Sequence, residues 1–200
     1  MSMTKEEYEK EERSQTVWRT INTGLSIGVL VVGLMMINPV LDSVNVLYEQ
    51  VSGITEMKVI ESEIAQIASD ESYRRCVYDD SVGKATIGFG HLMTGEEETI
   101  NGCITPSNAI QLLRNDYSTA REGVIRNYPW AEGEIRLILT NMTFQLGSNG
   151  VSKFKNAITA FKMDEYDTAA AEMIDSKWCV QTTNRCARLV GRTMQLKEEG

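Results

Sequence analysis

Two acids and a hydroxyl mark one short stretch of this chain, ESYRRCVYDDSVGKATIGFGH, which runs from Glu71 to His91. Glu71 opens it, Asp80 follows nine residues later, and Thr86 begins the run Thr-Ile-Gly-Phe-Gly-His. A pair of carboxyl groups in different environments suits hydrolysis of a glycosidic bond. One protonates the leaving oxygen while the other orients or deprotonates the attacking water. Glu71 continues an apolar series, Ile60, Ile64 and Ile67, at steps of four, three and four, the spacing of one helix face. A carboxyl group set against apolar surface loses hydration, which favours its neutral, proton-donating form. The same spacing also describes an acid that ends a helix in water, and both readings of Glu71 stand at this level.

The elements that must carry these groups are legible around them. SYRRCVYDD is short and rich in strand formers, and DSVG is a turn signal. KATIGFGH then alternates, with Thr86, Gly88 and Gly90 on one strand face and Ala85, Ile87, Phe89 and His91 on the other. The glycines leave the first face bare, a pattern that marks close approach of backbone or ligand. The expectation is a hairpin floor with Asp80 and Thr86 at one edge and Glu71 arriving from a helix. Further on, Asn101-Gly102 predicts a turn, and Thr105-Pro106 predicts a helix start. Ile110, Leu113, Tyr117 and Val124 then keep helical spacing.

Two hundred residues suffice for one compact domain and an appendage. The formal net charge of −8 argues against nucleic acid as a partner. One histidine and no Cys-x-x-Cys leave no zinc site to expect, and no phosphate-binding glycine loop occurs, so no cofactor is expected. The front of the chain reads differently. Residues 4–13 are highly charged, and Thr20 to Leu41 then gives 22 residues without a charge. A helix needs roughly 20 apolar residues to cross a bilayer. Asn38-Pro39 predicts its end, and no Ala-x-Ala follows to suggest cleavage. Arg13 and Arg19 precede the span while Asp42 and Glu49 follow it, which orients the N-terminus to the cytoplasm. Gly24 and Gly28 have the spacing that lets two such helices approach and self-associate. The expected plan is a cytoplasmic tail at 1–19, a transmembrane signal anchor at 20–41, a linker at 42–59 with a break at Ser52-Gly53, and a catalytic domain at 60–200.

Glu71, eight residues, Asp80, five residues, Thr86 and then Ile-Gly-Phe-Gly-His resembles the catalytic signature of the T-even phage lysozyme family. NGCITPSNAIQLLRNDYSTAREGVIRN is similar to that family's strand and long interlobe helix. LTNMTFQLGSNGVSKFKNAI and SKWCVQTTNRCARLV are similar to its helical C-terminal lobe. The resemblance covers about Ile60 to Met194. It implies an α+β, mainly α, two-lobed lysozyme-like fold with a small antiparallel sheet in the first lobe. It also implies a muramidase that cleaves, with inversion, the β-1,4 bond between N-acetylmuramic acid and N-acetylglucosamine. Glu71 matches the general acid, Asp80 the acid that positions water, and Thr86 the threonine that assists it. Gln145 matches a position in the cleft wall, and Arg185 an arginine close to the acid. His91 becomes structural, paired with Asp116. The chain departs from the pattern at Ser72 (in place of glycine), at Thr183 (in place of proline), in a shorter stretch between His91 and Met142, and in its apolar N-terminal extension.

The implied role is an endolysin acting on peptidoglycan. It would be held in the host inner membrane through residues 20–41, with its catalytic domain periplasmic. A virion-associated wall hydrolase used at infection, an inactive wall-binding protein and a lytic transglycosylase are the alternatives. Intact Glu71, Asp80 and Thr86 weigh against the last two. Cys76, Cys103, Cys179 and Cys186 all follow the apolar span and would meet an oxidising compartment. Four cysteines allow three pairings. The family places Cys103 beside the hairpin that holds Cys76, while Cys179 and Cys186 flank the QTTNR turn in the other lobe. This favours Cys76–Cys103 and Cys179–Cys186; a bridge across the cleft and four free thiols remain open.

Overall fold

The computed structural model describes residues 45–199 apart from Ser81. The expected tail at 1–19 and span at 20–41, with Gly24 and Gly28, lie outside the described residues. Among those described, no helix is long and apolar enough to cross a membrane. The chain divides into two compact units, Met1–Lys58 and Val59–Gly200.

Helix α1 covers residues 45–70. The stretch expected as a linker is therefore helical from residue 45, and the break expected at Ser52-Gly53 does not occur. Ser52 Oγ donates to the Glu49 carbonyl at 2.9 Å, and Thr55 Oγ1 to the Val51 carbonyl at 2.9 Å. Such bonds satisfy small polar side chains within the helical turn, so a turn-forming residue type need not end a helix. In the second unit Ile64 and Ile67 are buried against Leu113 and Tyr117, with Ile60 partly buried beside them.

Strands β1 (Arg74–Asp79), β2 (Ala85–Gly88) and β3 (His91–Leu92) form an antiparallel sheet in the order β1-β2-β3. Tyr78 pairs with Thr86 and Asp79 with Ala85, and the register shifts between Arg74 and Tyr78. The bare strand face is corrected here. β2 ends at Gly88, and Gly90 belongs to the turn into β3. Gly88 has φ +68, and a Cβ there would stand 3.4 Å from the Ala109 Cβ. A Cβ there would only touch Ala109, so the left-handed backbone is what calls for glycine at this position. Past β3, Asn101-Gly102 turns the chain so that Cys103 bridges to Ile100 and Cys76. The Ile104 N–H reaches the Arg75 carbonyl at 2.8 Å, and a disulfide joins Cys76 to Cys103.

Helix α2 (Pro106–Asn127) starts as the sequence predicts. Thr105 Oγ1 accepts from the Asn108 N–H at 3.2 Å, and Pro106 occupies the first turn, where its missing N–H costs nothing. Helices α3 (Gly133–Val151), α4 (Lys155–Lys162), α5 (Tyr166–Ile174), α6 (Lys177–Gln181) and α7 (Thr183–Glu199) complete the chain. They enclose the largest core, built on Ile138, Leu139, Met142, Phe161, Met173 and Leu189. A smaller one under the sheet comprises Ile87, Ile104 and Ala109. The second disulfide joins Cys179 to Cys186 and so ties α6 to α7. Among the described residues the fold is mainly helical with one small antiparallel sheet, which agrees with the α+β, mainly α class that the resemblance implies.

The Cys76–Cys103 link closes a loop with a sequence separation of 27 residues. Chain-entropy arguments assign a loop of that length about 3.5 kcal/mol. Cys76→Ser/Cys103→Ser should therefore lower the urea-unfolding free energy by about 3.5 kcal/mol; a loss below about 0.5 kcal/mol would show that the bridge constrains little.

Candidate active site

Glu71 sits one residue past the end of α1, and its N–H still reaches the Ile67 carbonyl at 3.0 Å. The backbone thus carries the apolar stripe to its last turn before releasing the acid. Glu71 is neither buried in the core nor free in water: its side chain is 30% exposed and accepts from Arg185 Nη2 at 2.8 Å. Arg185 comes from the first turn of α7, and only 5% of its side chain is exposed. Its Nε donates to Asp70 Oδ2 at 3.1 Å, and Arg188 donates to the same oxygen. Asp70 and Arg188 escape a motif reading because each looks like an ordinary charge on a solvated helix face. The usable signal is the spacing of Arg185, Arg188 and Arg192 at three and four residues, which sets three cations on one face of α7. Arg192 uses that face to hold Glu63 at 2.7 Å and also bonds Glu134.

Asp80 is held differently. Its Oδ1 accepts the N–H groups of Lys84 at 2.8 Å and Val82 at 2.9 Å, and its own N–H donates to the Lys84 carbonyl at 2.9 Å. The Lys84 amide holds the carboxyl below the usual aspartate range against desolvation, helped by the Val82 amide and the Lys84 charge. Thr86, 4% exposed, donates its hydroxyl to the same Lys84 carbonyl at 3.0 Å. Asp80 and Thr86 are therefore joined through Lys84 at the mouth of the hairpin.

Two pockets meet at Glu71 and Gln145. One, of about 410 Å³, is lined by Ser69, Asp70 and the segment from Gln181 to Arg185. The other, of about 700 Å³, runs past Phe89 to Leu92, Asp116 and Phe144. Gln145 Oε1 accepts from the Trp178 indole at 2.7 Å, which fixes the amide in the wall. Two residues on, Gly147 has φ +69 inside α3. That left-handed residue kinks the helix where it passes the pocket, a conformation glycine adopts without strain. The structure thus brings Glu71, Gln145 and Arg185 together in one pocket and Asp80 with Thr86 at the hairpin. Among the described residues no group of three or more His, Cys, Asp or Glu side chains is placed to hold a metal ion.

His91 is clamped from both sides. Its Nδ1 lies 2.8 Å from Asp116 Oδ2 and its Nε2 3.1 Å from Glu97 Oε1. Glu97 also accepts from the Thr94 N–H and hydroxyl, each at 2.7 Å, and these bonds hold its carboxyl far below the glutamate range. Burial disfavours the charged ring, but the bonds and charges of Asp116 and Glu97 outweigh it and raise the His91 pKa above the ordinary imidazole value. The Asp116 pKa rises too, because its own burial outweighs the pull of His91. The ring ties β3 to α2.

The phage lysozyme family model matches residues 68–195. A probable T4-type lysozyme of Dictyostelium discoideum is 29% identical over 157 residues, which cover 64% of this chain and 92% of that protein. The pre-baseplate central spike protein Gp5 of Enterobacteria phage T4 is 30% identical over 145 residues, 60% of this chain and 25% of that protein. The peptidoglycan hydrolase gp36 of Pseudomonas phage phiKMV is 27% identical over 130 residues, 64% of this chain and 14% of that protein.

The His91 clamp gives a pH dependence with a definite sign. A raised folded-state pKa contributes stability that is fully present below the unfolded imidazole value and is lost as pH rises through the folded value. Urea-unfolding stability should fall as pH rises above the ordinary imidazole value of about 6.5, and His91→Gln should flatten that part of the profile. An equal slope in the variant would place the titrating group elsewhere.

Proposed function

Because this chain belongs to the phage lysozyme family, we propose that it is a peptidoglycan hydrolase that cleaves, with inversion, the β-1,4 bond between N-acetylmuramic acid and N-acetylglucosamine. The observation that carries this reading is the meeting of two pockets at Glu71, which gives a glycan room on both sides of one acid. Glu71 donates its proton to the glycosidic oxygen as the bond to the anomeric carbon breaks. Asp80, kept ionised by backbone amides, takes a proton from the water that attacks the opposite face of the sugar. Thr86 has spent its hydroxyl proton on Lys84, so it meets that water with oxygen lone pairs. Gln145, oriented by Trp178, contacts the glycan, and Arg185 keeps Glu71 aimed into the groove.

The route to the wall belongs to the same proposal. The uncharged residues 20–41 serve as a signal anchor, with the N-terminus cytoplasmic and the domain from residue 60 periplasmic, for lysis of the host. Gly24 and Gly28 offer a contact for self-association. A tether supports an acidic enzyme beside an anionic wall by raising its effective concentration there. The likeness to a baseplate spike protein favours a second reading, a virion-associated hydrolase used at infection.

Glu71→Gln should lower hydrolysis of purified peptidoglycan by about 10²–10⁴-fold with the fold intact, since the amide has no proton to give. Asp80→Asn should lower it by about 10²-fold or more, because the amide cannot accept a proton from water. Rates close to the parent's for either variant would remove that residue from its role.

A further inference from the structure

The Cys179–Cys186 bridge encloses six residues, Val180 to Arg185. Every one of them from Gln181 to Arg185 lines the pocket beside Glu71. Side-chain bonds also hold this segment, from Thr182 Oγ1 to the Trp178 carbonyl at 2.9 Å, from Thr183 Oγ1 to the Val180 carbonyl at 3.3 Å, and from Arg185 to Asp70 and Glu71, but regular secondary structure is sparse in it. Helix α6 has five residues, too short to persist by its own hydrogen bonds. The chain leaves helical geometry at Thr182, with φ −131 and ψ 53, before α7 begins. Ser176 caps α6 through the Cys179 N–H at 3.1 Å, and the Trp178 indole holds Gln145. Cys186 is fully buried in the large core, next in sequence to Arg185. The bridge therefore fastens the segment to the core at the residue after the one that holds the catalytic acid.

We infer that the Cys179–Cys186 cross-link is a positioning element of the active site, which fixes the Gln181–Arg185 segment against Glu71 and makes hydrolysis sensitive to dithiols. The inference rests on the hydrolase reading for its effect on rate, but not for its effect on the segment. Cys179 is half-buried at the edge of the large core while Cys186 is fully buried, so Cys179 Sγ is the sulfur a thiolate would attack. Attack there breaks the S–S bond and forms a mixed disulfide. The reductant's second thiol then closes on the first, leaving two cysteine thiols and a cyclic, oxidised reductant. Arg185 would keep its two carboxylates but lose the fixed backbone that aims it. Small displacements of such groups have large effects on rate.

The test compares the full chain with Cys179→Ser/Cys186→Ala, well below both melting temperatures. The cross-linked and variant proteins should both be folded. The variant should show kcat on peptidoglycan lowered by about tenfold or more, a smaller change in KM, and amide exchange across residues 181–185 faster by about tenfold or more. A cross-link that merely stabilised the fold would lower the melting temperature and leave kcat, KM and local exchange alone; that result overturns the proposal. Cys179→Ser alone keeps buried Cys186 in the core, and it serves the same comparison if the double variant does not fold. In the Cys76→Ser/Cys103→Ser chain, dithiol should lower activity by about tenfold or more and reoxidation restore it, and indifference to dithiol again overturns the proposal. A parent chain without action on peptidoglycan would defeat the hydrolase reading alone. The exchange rates would then decide the role of the cross-link by themselves, unchanged rates overturning it.

Discussion

A buried guanidinium sets the geometry around which this protein is arranged. Arg185 lies at the start of α7 and is shared between Asp70, the last residue of α1, and Glu71, the first residue beyond it. Removing such a cation from water costs several kcal/mol unless carboxylates meet it at good geometry. The pairing therefore obliges the end of α1 and the start of α7 to stay together. The contact also extends into a seam. Arg185, Arg188 and Arg192 present one basic edge of α7, and Asp70 and Glu63, seven residues apart, present the matching acidic edge of α1. Glu63 is costly to bury, and burial raises its pKa against the pull of Arg192. Arg192 also engages Glu134, so α3, which carries Gln145, joins the same seam.

The two carboxyl groups at the heart of the proposed chemistry are governed by different physics. Glu71 answers to a side-chain cation delivered from more than a hundred residues away in sequence. Asp80 answers to backbone amides within four residues of itself. A turn sets Asp80 locally, and that setting survives changes elsewhere in the chain. Glu71 is set by packing between helices and is open to anything that shifts α7. The asymmetry suits hydrolysis, in which the acid must meet a substrate that arrives while the base must be ionised when the water attacks.

What could be read from the sequence follows the range of the interaction. The apolar stripe Ile60-Ile64-Ile67, the Thr105 cap and the Asn101-Gly102 turn rest on neighbours a few residues away, and the structure shows each of them. The closeness of Arg185 to Glu71 and of His91 to Asp116 was accessible only through family likeness, because local spacing holds no trace of a partner in another helix. Gly88 shows the limit of pattern reading. Its bare face suggested a close approach, but only the fold reveals that the left-handed backbone calls for the glycine, with Ala109 as an ordinary neighbour. Ser52-Gly53 shows the opposite error, in which a composition signal for a break yields to side chains that bond within the helix. Nothing near Asp70 in the sequence points to Arg185 and Arg188, its partners on α7.

The central claim is that one acid and one base-held water act on a glycosidic bond. The most direct measurement is the chemical form of the first products released from purified peptidoglycan, read by mass spectrometry and by NMR before the sugar ends equilibrate. The account predicts reducing N-acetylmuramic acid ends, initially in the anomeric configuration opposite to that of the bond cleaved. Anhydro ends would show that no water attacks and that Asp80 has no such role. Reducing ends with retained configuration would point instead to a covalent intermediate and contradict the assignment of Asp80 as the base.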